Sequence, residues 1–259
     1  MPDLAGLTVV VTRPAHQAQG LCEKIAAAGG EAIAYPVIEI QPPTDIKKLQ
    51  TQLTGLANFD LAIFVSANAV LEIAKYLDLH KAWPENLPIA CVGQATARSL
   101  KQQGRQADII APPPHNSETL LTTTEFQNVQ GKRVIIFRGE GGRELLAETL
   151  HERGAQVDYA ECYRRGIPTV NIAPLQNAWQ ENKALVFVVT SNEGLQNLYT
   201  MLQKQVARKL LKSRLVVVSE RAVQLAEEFG FTHKALCATA ASEEAILEAL
   251  QSLVAGDSE

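Results

Sequence analysis

The feature that most constrains the fold of this chain is an internal duplication. Shifting the sequence against itself by 125 residues, the difference between positions 6 and 131, brings Gly6 onto Gly131. The same offset persists along both halves and aligns Arg13 with Arg138, Leu21 with Leu146, Gly29 with Gly154, Ser66 with Ser191, and Ser117-Glu118 with Ser242-Glu243. A period this long exceeds the roughly 20–50 residues of solenoid repeats, so it predicts two homologous halves of one module.

Each half alternates short β-branched runs with helical patterns, which is typical of parallel sheets covered by helices on both faces. The predicted strands of the first half are 9–12, 31–40, 61–66, 88–92 and 107–111. The predicted helices between them lie near 16–28, 67–79, 94–103 and 116–125. The second half repeats the order with strands at 133–137, 156–163, 185–190, 214–218 and 235–239. Five strands per half indicate an α/β fold with a flavodoxin-like strand order and right-handed crossovers.

The second strand of each half is unusually long. The runs 31-EAIAYPVIEIQPP-43 and 155-AQVDYAECYRRGIP-168 are about twice the usual strand length of about 5–6 residues. Both end in proline-containing segments, at Pro42-Pro43 and at Pro168. This pattern predicts a pair of strands that cross together between two domains.

Composition excludes several classes of function. With 46% hydrophobic and 20% charged residues, the 259-residue chain is expected to be a soluble globular protein. No apolar run approaches the roughly 20 residues of a membrane span, and no basic segment opens the chain, so we expect neither a membrane anchor nor a signal peptide and predict a cytoplasmic location. A net charge of −4 argues against a general affinity for nucleic acid or an anionic membrane.

Cysteine and histidine spacing argues against a metal centre. The four cysteines occur singly, without a CxxC pair, and the five histidines form no HExxH or similar motif. We therefore expect no metal and no disulfide framework.

A glycine-rich loop, 138-RGEGGR-143, stands between a strand and a helix, where nucleotide loops occur. Gly139 and Gly141 supply the first two glycines of a dinucleotide fingerprint, but Glu144 takes the third position, and there is no GxxxxGKS/T motif. The spacing favours a tight turn before a helix over a nucleotide site.

Matching residues end corresponding strands of the two halves. The first strands end at Arg13 and Arg138, and the third strands end at Ser66 and Ser191. Ligands of open parallel sheets bind beyond the carboxyl ends of the strands, where helix N-termini offer free N–H groups. We expect these corners to face one anion-binding cleft, although the serines could equally cap the helices that follow them. The same two roles are open at two further strand ends, Thr96 and Ser219.

Tyr163 lies in the long second strand of the second half, where its phenol could project into the space between domains. A tyrosine in a strand is more often a packing residue than a catalytic one. The adjacent pair Arg164-Arg165 is most simply interpreted as a solvated strand end. No Ser/His/Asp, Cys/His or paired-carboxylate arrangement can be assembled, so the residues alone predict an anion-binding cleft and no specific reaction.

Six segments nevertheless occur in a characteristic order along almost the whole chain: VTRP (11–14), FVSANAV (64–70), VGQATA (92–97), FRGEGGRELLAETLHERGAQVDYAECYRR (137–165), TSNEG (190–194) and VSERA (218–222). In this order and spacing they resemble the uroporphyrinogen-III synthase family. The resemblance implies two flavodoxin-like α/β domains that are joined by a two-stranded β-ladder and exchange their first β-α units. One domain would comprise residues 1–36 and 166–259, and the other residues 37–165.

The resemblance also implies an activity. Members of this family cyclise hydroxymethylbilane to uroporphyrinogen III for haem biosynthesis, with inversion of the terminal pyrrole ring and loss of water, and use neither a metal nor a cofactor. We accordingly expect a monomeric lyase that makes at most transient contact with the preceding enzyme of the pathway. The alternative is a non-catalytic, two-lobed small-molecule binding or sensor protein, which would retain its ligand unchanged.

The resemblance assigns roles to individual residues. Tyr163 corresponds to the tyrosine that is the usual candidate to assist departure of the hydroxyl, and Thr96 falls in the GxxT turn of the cleft. Some relatives carry threonines where this chain has Ser219-Glu220-Arg221, so Arg221 is expected to bind a carboxylate instead. The full set of expected substrate-binding residues is Thr12, Arg13, Ser66, Asn68, Thr96, Arg138, Gly139, Ser191, Ser219 and Arg221.

Overall fold

The computed structural model describes residues 3–181 and 183–256. The strands are β1 (Thr8–Val11), β2 (Glu31–Ala34), β3 (Glu39–Gln41), β4 (Leu61–Phe64), β5 (Ile89–Cys91), β6 (Ile109–Ile110), β7 (Arg133–Gly139), β8 (Gln156–Gly166), β9 (Leu185–Val189), β10 (Arg214–Val217) and β11 (Leu236–Cys237). The helices are α1 (Ala15–Ala27), α2 (Ile46–Thr54), α3 (Ala67–Ile73), α4 (Gln94–Gln102), α5 (Ser117–Leu120), α6 (Thr124–Gln127), α7 (Leu145–Glu152), α8 (Ala173–Gln180), α9 (Asn192–Leu211), α10 (Glu220–Phe229) and α11 (Glu243–Gly256). Within the described residues, no helix is long and apolar enough to cross a membrane.

The chain divides into two compact units. Unit 1 comprises Met1–Glu39 and Gly166–Glu259, and unit 2 comprises Ile40–Arg165. Unit 1 contains a five-stranded parallel sheet in the order β2-β1-β9-β10-β11. Unit 2 is built on a sheet in the order β3-β8-β7-β4-β5-β6, in which the pairs from β8 to β6 are parallel.

Strand order reveals an exchange between the two sequence halves. Apart from the edge strand β3, the order in each sheet is that of flavodoxin-like folds, 2-1-3-4-5. The strands β1 and β2 are the first two of one sheet, and β7 and β8 are the first two of the other. The first β-α units have therefore changed places, because β1, α1 and β2 belong with the last three strands of the second half. The predicted fold class, including the exchange, is confirmed.

The duplication is also visible in the backbone. Gly29 and Gly154, which occupy equivalent positions in the two halves, follow α1 and α7 with φ of +84° and +82°. Only glycine adopts this left-handed conformation without strain, and it is a common way to end a helix. Both halves thus turn from the first helix into the second strand in the same way.

Successive residues along the strands point to opposite faces of each sheet, and each face is covered by its own hydrophobic core. In unit 1, Val10 and Phe187 point to one side, whereas Val9 and Val11 point to the other with Val188. Unit 2 has the same arrangement, with separate clusters on its two sheet faces. Burial on both faces explains why the strand sequences are continuous apolar runs.

The prediction of one strand over 31–40 was wrong, because β2 ends at Ala34 and β3 begins only at Glu39. Pro36 lies in the break, and proline has no N–H to donate to a neighbouring strand. Tyr35 and Val37 instead pack into the core of unit 1. The break lets the chain leave one sheet and enter the other, whereas β8 runs without interruption for 11 residues.

Two predicted helices differ from those observed: one is divided in two, and the other is shorter. The segment 116–125 forms α5 and α6 separately, because Thr122 and Thr123 between them donate their hydroxyls to the carbonyls of Thr119 and Leu120. Such side-chain bonds compete with helix continuation. The other helix, α3, ends at Ile73 and not near 79, and the chain beyond it forms a turn in which the carboxylate of Asp78 accepts the N–H groups of His80 and Lys81.

Candidate active site

A cavity of about 310 Å³ opens at the carboxyl end of β7 in unit 2. Parallel α/β sheets bind their ligands at this edge. Four of the predicted site residues line it together, namely Ser66, Arg138, Gly139 and Tyr163. The remaining wall comes mainly from the glycine-rich loop, the start of α5, the start of α7 and β8, and includes Ser117, Glu140, Gly141, Gly142, Arg143, Tyr159 and Arg165.

Arg138 is the buried cation of this cavity. It is 5% exposed, and its guanidinium lies 4.3 Å from the centre of the Tyr159 ring. Its Nη1 is 3.1 Å from Oε1 of Glu144, whose side chain is 52% exposed. One face of the guanidinium is therefore fixed by an aromatic ring and one edge by a carboxylate that solvent can reach, which is a geometry suited to binding a second carboxylate.

Tyr159 and Glu144 complete this network. The Tyr159 hydroxyl donates to Oε2 of Glu144 at 2.5 Å. Burial, together with this carboxylate, raises the pKa of Tyr159 to about 12, so the phenol keeps its proton at neutral pH. The hydrogen bond from Tyr159, followed by that from Arg138, lowers the pKa of Glu144. The network consequently holds one cation and one anion around a neutral phenol.

Tyr163 lies deeper in the wall and is 1% exposed. Its hydroxyl is 3.1 Å from Oγ of Ser66, which also accepts the N–H of Ala69 and so caps α3. Ser66 therefore caps a helix and contacts Tyr163 with the same oxygen. Of the two roles left open by the sequence, capping is observed at this position, and contact with a ligand stays a prediction.

Gly139 is required by the close approach of Tyr163. A Cβ at position 139 would stand 2.7 Å from Cε2 and 2.8 Å from Cζ of the Tyr163 ring, far inside van der Waals contact. A β-bulge between Arg138 and Gly139 shifts the register with β8, and the N–H of Glu140 then donates to the carbonyl of Tyr163 at 2.7 Å. The glycine thus positions the tyrosine against the turn.

The glycine-rich loop is held at one end by hydrogen bonds and at the other by an ion pair. The Glu140 carboxylate accepts the N–H of Thr44 at 2.5 Å and its hydroxyl at 3.1 Å. Arg143, at the other end, is 3.3 Å from Glu118. This exposed pair contributes little stability and leaves the guanidinium available at the rim of the cavity.

The other predicted residues of unit 2 lie outside this cavity. Asn68 occupies the first turn of α3 and Thr96, which is 4% exposed, the first turn of α4. Neither is among the described residues that line the cavity.

In unit 1 the predicted residues gather at the carboxyl ends of β1, β9 and β10. Thr12 donates its hydroxyl to the carbonyl of Val188 at 2.8 Å. Arg13 donates to the carbonyl of Ala241 at 2.7 Å and lies 3.8 Å from Glu243. Burial lowers the pKa of Arg13 and Glu243 opposes this shift, so the side chain stays charged at neutral pH. Both residues thus stabilise the loop connections of unit 1.

Ser191 and Ser219 cap α9 and α10 by accepting the N–H of Gly194 at 3.0 Å and of Ala222 at 3.2 Å. Arg221 is exposed in the first turn of α10 and borders a shallow polar depression with Glu193. Among the described residues, no group of three or more His, Cys, Asp or Glu side chains could hold a metal ion.

Comparison with known proteins adds an independent line of evidence. The family model described as uroporphyrinogen-III synthase HemD matches residues 19–248. The chain belongs to the uroporphyrinogen-III synthase family. It is 35% identical to the uroporphyrinogen-III synthase of Escherichia coli K12 over 95% of this chain and 100% of that protein, and 36% identical to that of Salmonella typhimurium over the same shares. The structure of uroporphyrinogen-III synthetase from Helicobacter pylori 26695 has the same fold, with a TM-score of 0.61 and 17% identity over 95% of this chain and 99% of that one.

Sequence reasoning missed part of the site. The interpretation of Arg165 as a solvated strand end was incomplete, because Arg165, although exposed, lines the cavity and lies 5.9 Å from the centre of the Tyr163 ring. Tyr159 and Glu144 were not selected at all. The spacing of four residues between Tyr159 and Tyr163 would place both on the same side of an ideal strand. The register shift between β7 and β8 instead places the two rings in the cores on opposite faces of the sheet, so the sequence pattern provided no usable signal.

The capping geometry gives a testable prediction for Ser191. Replacement by alanine is expected to lower the free energy of unfolding by about 1 kcal/mol, because the Gly194 N–H loses its acceptor. Replacement by glycine is expected to lower it by only a few tenths of a kcal/mol, because glycine is itself tolerated at this capping position. Thermal melts and steady-state kinetics of both variants test this. Equal losses of activity in the two would assign the hydroxyl to the substrate, and activity that follows stability would assign it to capping alone.

Proposed function

We propose that this chain cyclises hydroxymethylbilane to uroporphyrinogen III, inverting the terminal pyrrole ring and releasing water, as a lyase of tetrapyrrole biosynthesis. The observation that carries the proposal is membership of the uroporphyrinogen-III synthase family over residues 19–248. The fold and the cavity of unit 2 supply a physical route to that activity.

The reaction depends more on positioning of the substrate than on covalent catalysis. Loss of the hydroxyl from hydroxymethylbilane gives an azafulvene cation, which closes on the free end of the chain to the type I isomer if left alone. Formation of the type III isomer requires the substituted carbon of the last ring to attack, giving a spiro intermediate that fragments and recloses inverted. Holding the two ends of the chain in this geometry supplies the main part of the catalysis.

The cavity in unit 2 is suited to the substrate's acetate and propionate groups. Arg138 lies on its floor, and Arg143 and Arg165 border it. Arginine binds carboxylates through paired N–H donors. At about 310 Å³ the cavity is at the small end of the range for ligand pockets. We therefore propose that it holds one end of the tetrapyrrole, and that Thr12, Arg13, Ser219 and Arg221 of unit 1 are further contacts for the substrate.

Tyr163 is the proposed proton donor to the departing hydroxyl. Its phenol borders the cavity and forms a hydrogen bond with Ser66 at 3.1 Å, an orientation that packing against Gly139 maintains. Proton assistance is commonly worth about 10²–10⁴-fold, and this leaving group is already labile, so its contribution should lie at or below the bottom of that range.

Tyr163→Phe is expected to lower kcat by up to about 100-fold while leaving the melting temperature almost unchanged. The ring that fills the core remains, and Ser66 keeps the N–H of Ala69 as its donor. Both quantities should be measured on the same preparation. Full turnover with unchanged stability would remove Tyr163 from the mechanism, and a collapse of stability would make its role structural.

The alternative of a non-catalytic binding protein makes a different prediction about the product. Purified protein, with and without EDTA, should convert hydroxymethylbilane to uroporphyrinogen III in place of the type I isomer that forms spontaneously. A binding protein would leave the isomer ratio unchanged. We also propose that the enzyme acts as a monomer. Because the substrate is unstable, we further propose that it makes transient contact with the enzyme that releases hydroxymethylbilane.

A further inference from the structure

A second cavity, of about 590 Å³, lies in unit 1 at the opposite edge of the sheet from the capped N-termini of α9 and α10. Leu7, Leu185 and Arg214 border it, and these residues stand at the amino-terminal ends of β1, β9 and β10. Ser191 and Ser219 follow the carboxyl ends of β9 and β10. Strands of four or five residues separate the two edges by about 15 Å, so this cavity is not part of the proposed substrate site.

Positive charge is concentrated in this cavity, which we call the basic cavity. Its described lining residues include Lys183, Arg208, Lys209, Lys212 and Arg214, together with His233, and none of them is an aspartate or glutamate. The whole chain has a net charge of −4, so the positive charge of this cavity is opposite in sign to the net charge of the chain. Converging like charges repel one another and favour the binding of an anion between them.

Several of these cations also have structural roles. Arg208 and Lys209 lie in the last turn of α9, where cations interact favourably with the helix dipole. Lys183 pairs with Glu31 at 2.7 Å and Glu181 at 2.9 Å. Helix stabilisation does not explain why Arg214 at the start of β10 and His233 in the loop before β11 converge on the same space. The lysines and arginines come from three parts of the chain, namely the segment before β9, the C-terminal end of α9 and the start of β10, and His233 comes from a fourth.

The apolar part of the wall narrows the class of ligand. Trp179 lines the cavity, and Nζ of Lys209 lies 5.9 Å from the centre of its ring. Leu7, Leu185 and Val186 provide further apolar surface. The volume is within the roughly 300–1,000 Å³ of small-molecule sites. A compact anion with several charged groups would meet the cations and still contact the indole.

We propose that the basic cavity is a second binding site, for a small anion that carries two or more carboxylate or phosphate groups. It is separate from the proposed substrate site and does not depend on the proposed function. The geometry places Trp179 where binding changes its surroundings, which makes the site directly observable by fluorescence.

The test is a fluorescence titration with two probes, citrate and pyrophosphate, in separate experiments at an ionic strength held constant with KCl. The chain contains two tryptophans, Trp83 in unit 2 and Trp179 in unit 1. We expect a saturable change in the wild-type protein that is absent from Trp179→Phe. A response to citrate alone would assign the site to carboxylates, and a response to pyrophosphate alone would assign it to phosphates. A response to both would show that the number of negative charges on the anion governs binding.

Charge reversals inside and outside the cavity locate the site on the protein. The double variant Lys209→Glu/Lys212→Glu should weaken binding by about tenfold or more, because it removes two charge-assisted contacts. Lys204→Glu makes the same kind of change on the exposed side of α9 outside the basic cavity and should alter affinity by less than about twofold. Circular dichroism melts confirm that each variant is folded.

Two results would overturn the proposal. One is the absence of a saturable Trp179 response to either probe up to about 10 mM, a concentration at which even weak specific sites fill. The other is an equal loss of affinity for the probe in Lys204→Glu and in the double variant. That result would show that binding depends on the overall charge of α9 and not on the basic cavity.

Discussion

Replacing Gly139 with alanine is expected to lower the free energy of unfolding of unit 2 by about 1–3 kcal/mol, the usual cost of overpacking a filled interior. The added methyl would stand 2.7 Å from the Tyr163 ring, and that ring is 1% exposed and cannot move into solvent without opening the core. Relief requires Tyr163 to shift away from Ser66. Activity should therefore fall together with stability.

Trp83 offers a local readout for this experiment. It packs in unit 2 with its ring centre 5.8 Å from that of Phe64 and 5.9 Å from that of Phe137. In a Trp179→Phe background, urea unfolding followed by fluorescence reports on this core alone. Gly55→Ala is the matched control, since a Cβ there would meet its nearest atom at 3.6 Å and the backbone angles suit any residue. Equal transition midpoints for the Gly139 variant and the wild type would show that the close approach costs nothing.

Replacing Arg138 with methionine is expected to reduce kcat/KM for hydroxymethylbilane by about 10–100-fold. Methionine fills the space of the aliphatic stem but removes the guanidinium, and a hydrogen bond between charged groups is worth about 1.5–3 kcal/mol. Stability should change little, because Glu144 is half exposed and keeps its hydrogen bond from Tyr159. Steady-state kinetics and a thermal melt on the same samples separate the two effects.

Arg133 supplies a matched control on the same strand. It lies at the amino-terminal end of β7, its guanidinium is 4.9 Å from the centre of the Phe59 ring, and it is 3.8 Å from Asp158. Arg133→Met removes the same charge from the strand while leaving the cavity intact. If this variant and Arg138→Met lose activity equally, the loss reflects general charge or folding and not a carboxylate contact.

The offset of 125 residues made much of the fold predictable. Equivalent residues imply equivalent modules, and the order of strands then follows from the handedness of parallel α/β units. The break at Pro36 was harder to foresee, because the run 31-EAIAYPVIEI-40 satisfies strand propensity on both sides of the proline. Tertiary packing of Tyr35 and Val37 decided where each strand ends.

The site was less predictable than the fold for a physical reason. Arg13 and Arg138 are equivalent in sequence, yet Arg13 holds the loop at Ala241 whereas Arg138 is buried against Tyr159. The difference arises from the turn that follows each arginine, because Pro14 begins a helix directly whereas Gly139 lets a tyrosine approach the backbone. Contacts such as that of Tyr159 with Glu144 depend on the register of β7 and β8, which no local pattern specifies.

We propose that the cavity around Arg138 holds the substrate's carboxylates in the geometry that leads to ring inversion. The most direct test is the fraction of uroporphyrinogen III in the product formed by Arg138→Met and Arg133→Met at equal, limiting enzyme concentrations. We predict that Arg133→Met gives the type III fraction of the wild-type protein and that Arg138→Met shifts the product towards type I, because substrate that is held poorly closes without inversion. A wild-type fraction of type III from Arg138→Met, at wild-type kcat/KM, would contradict the claim and place the chemistry elsewhere in the molecule.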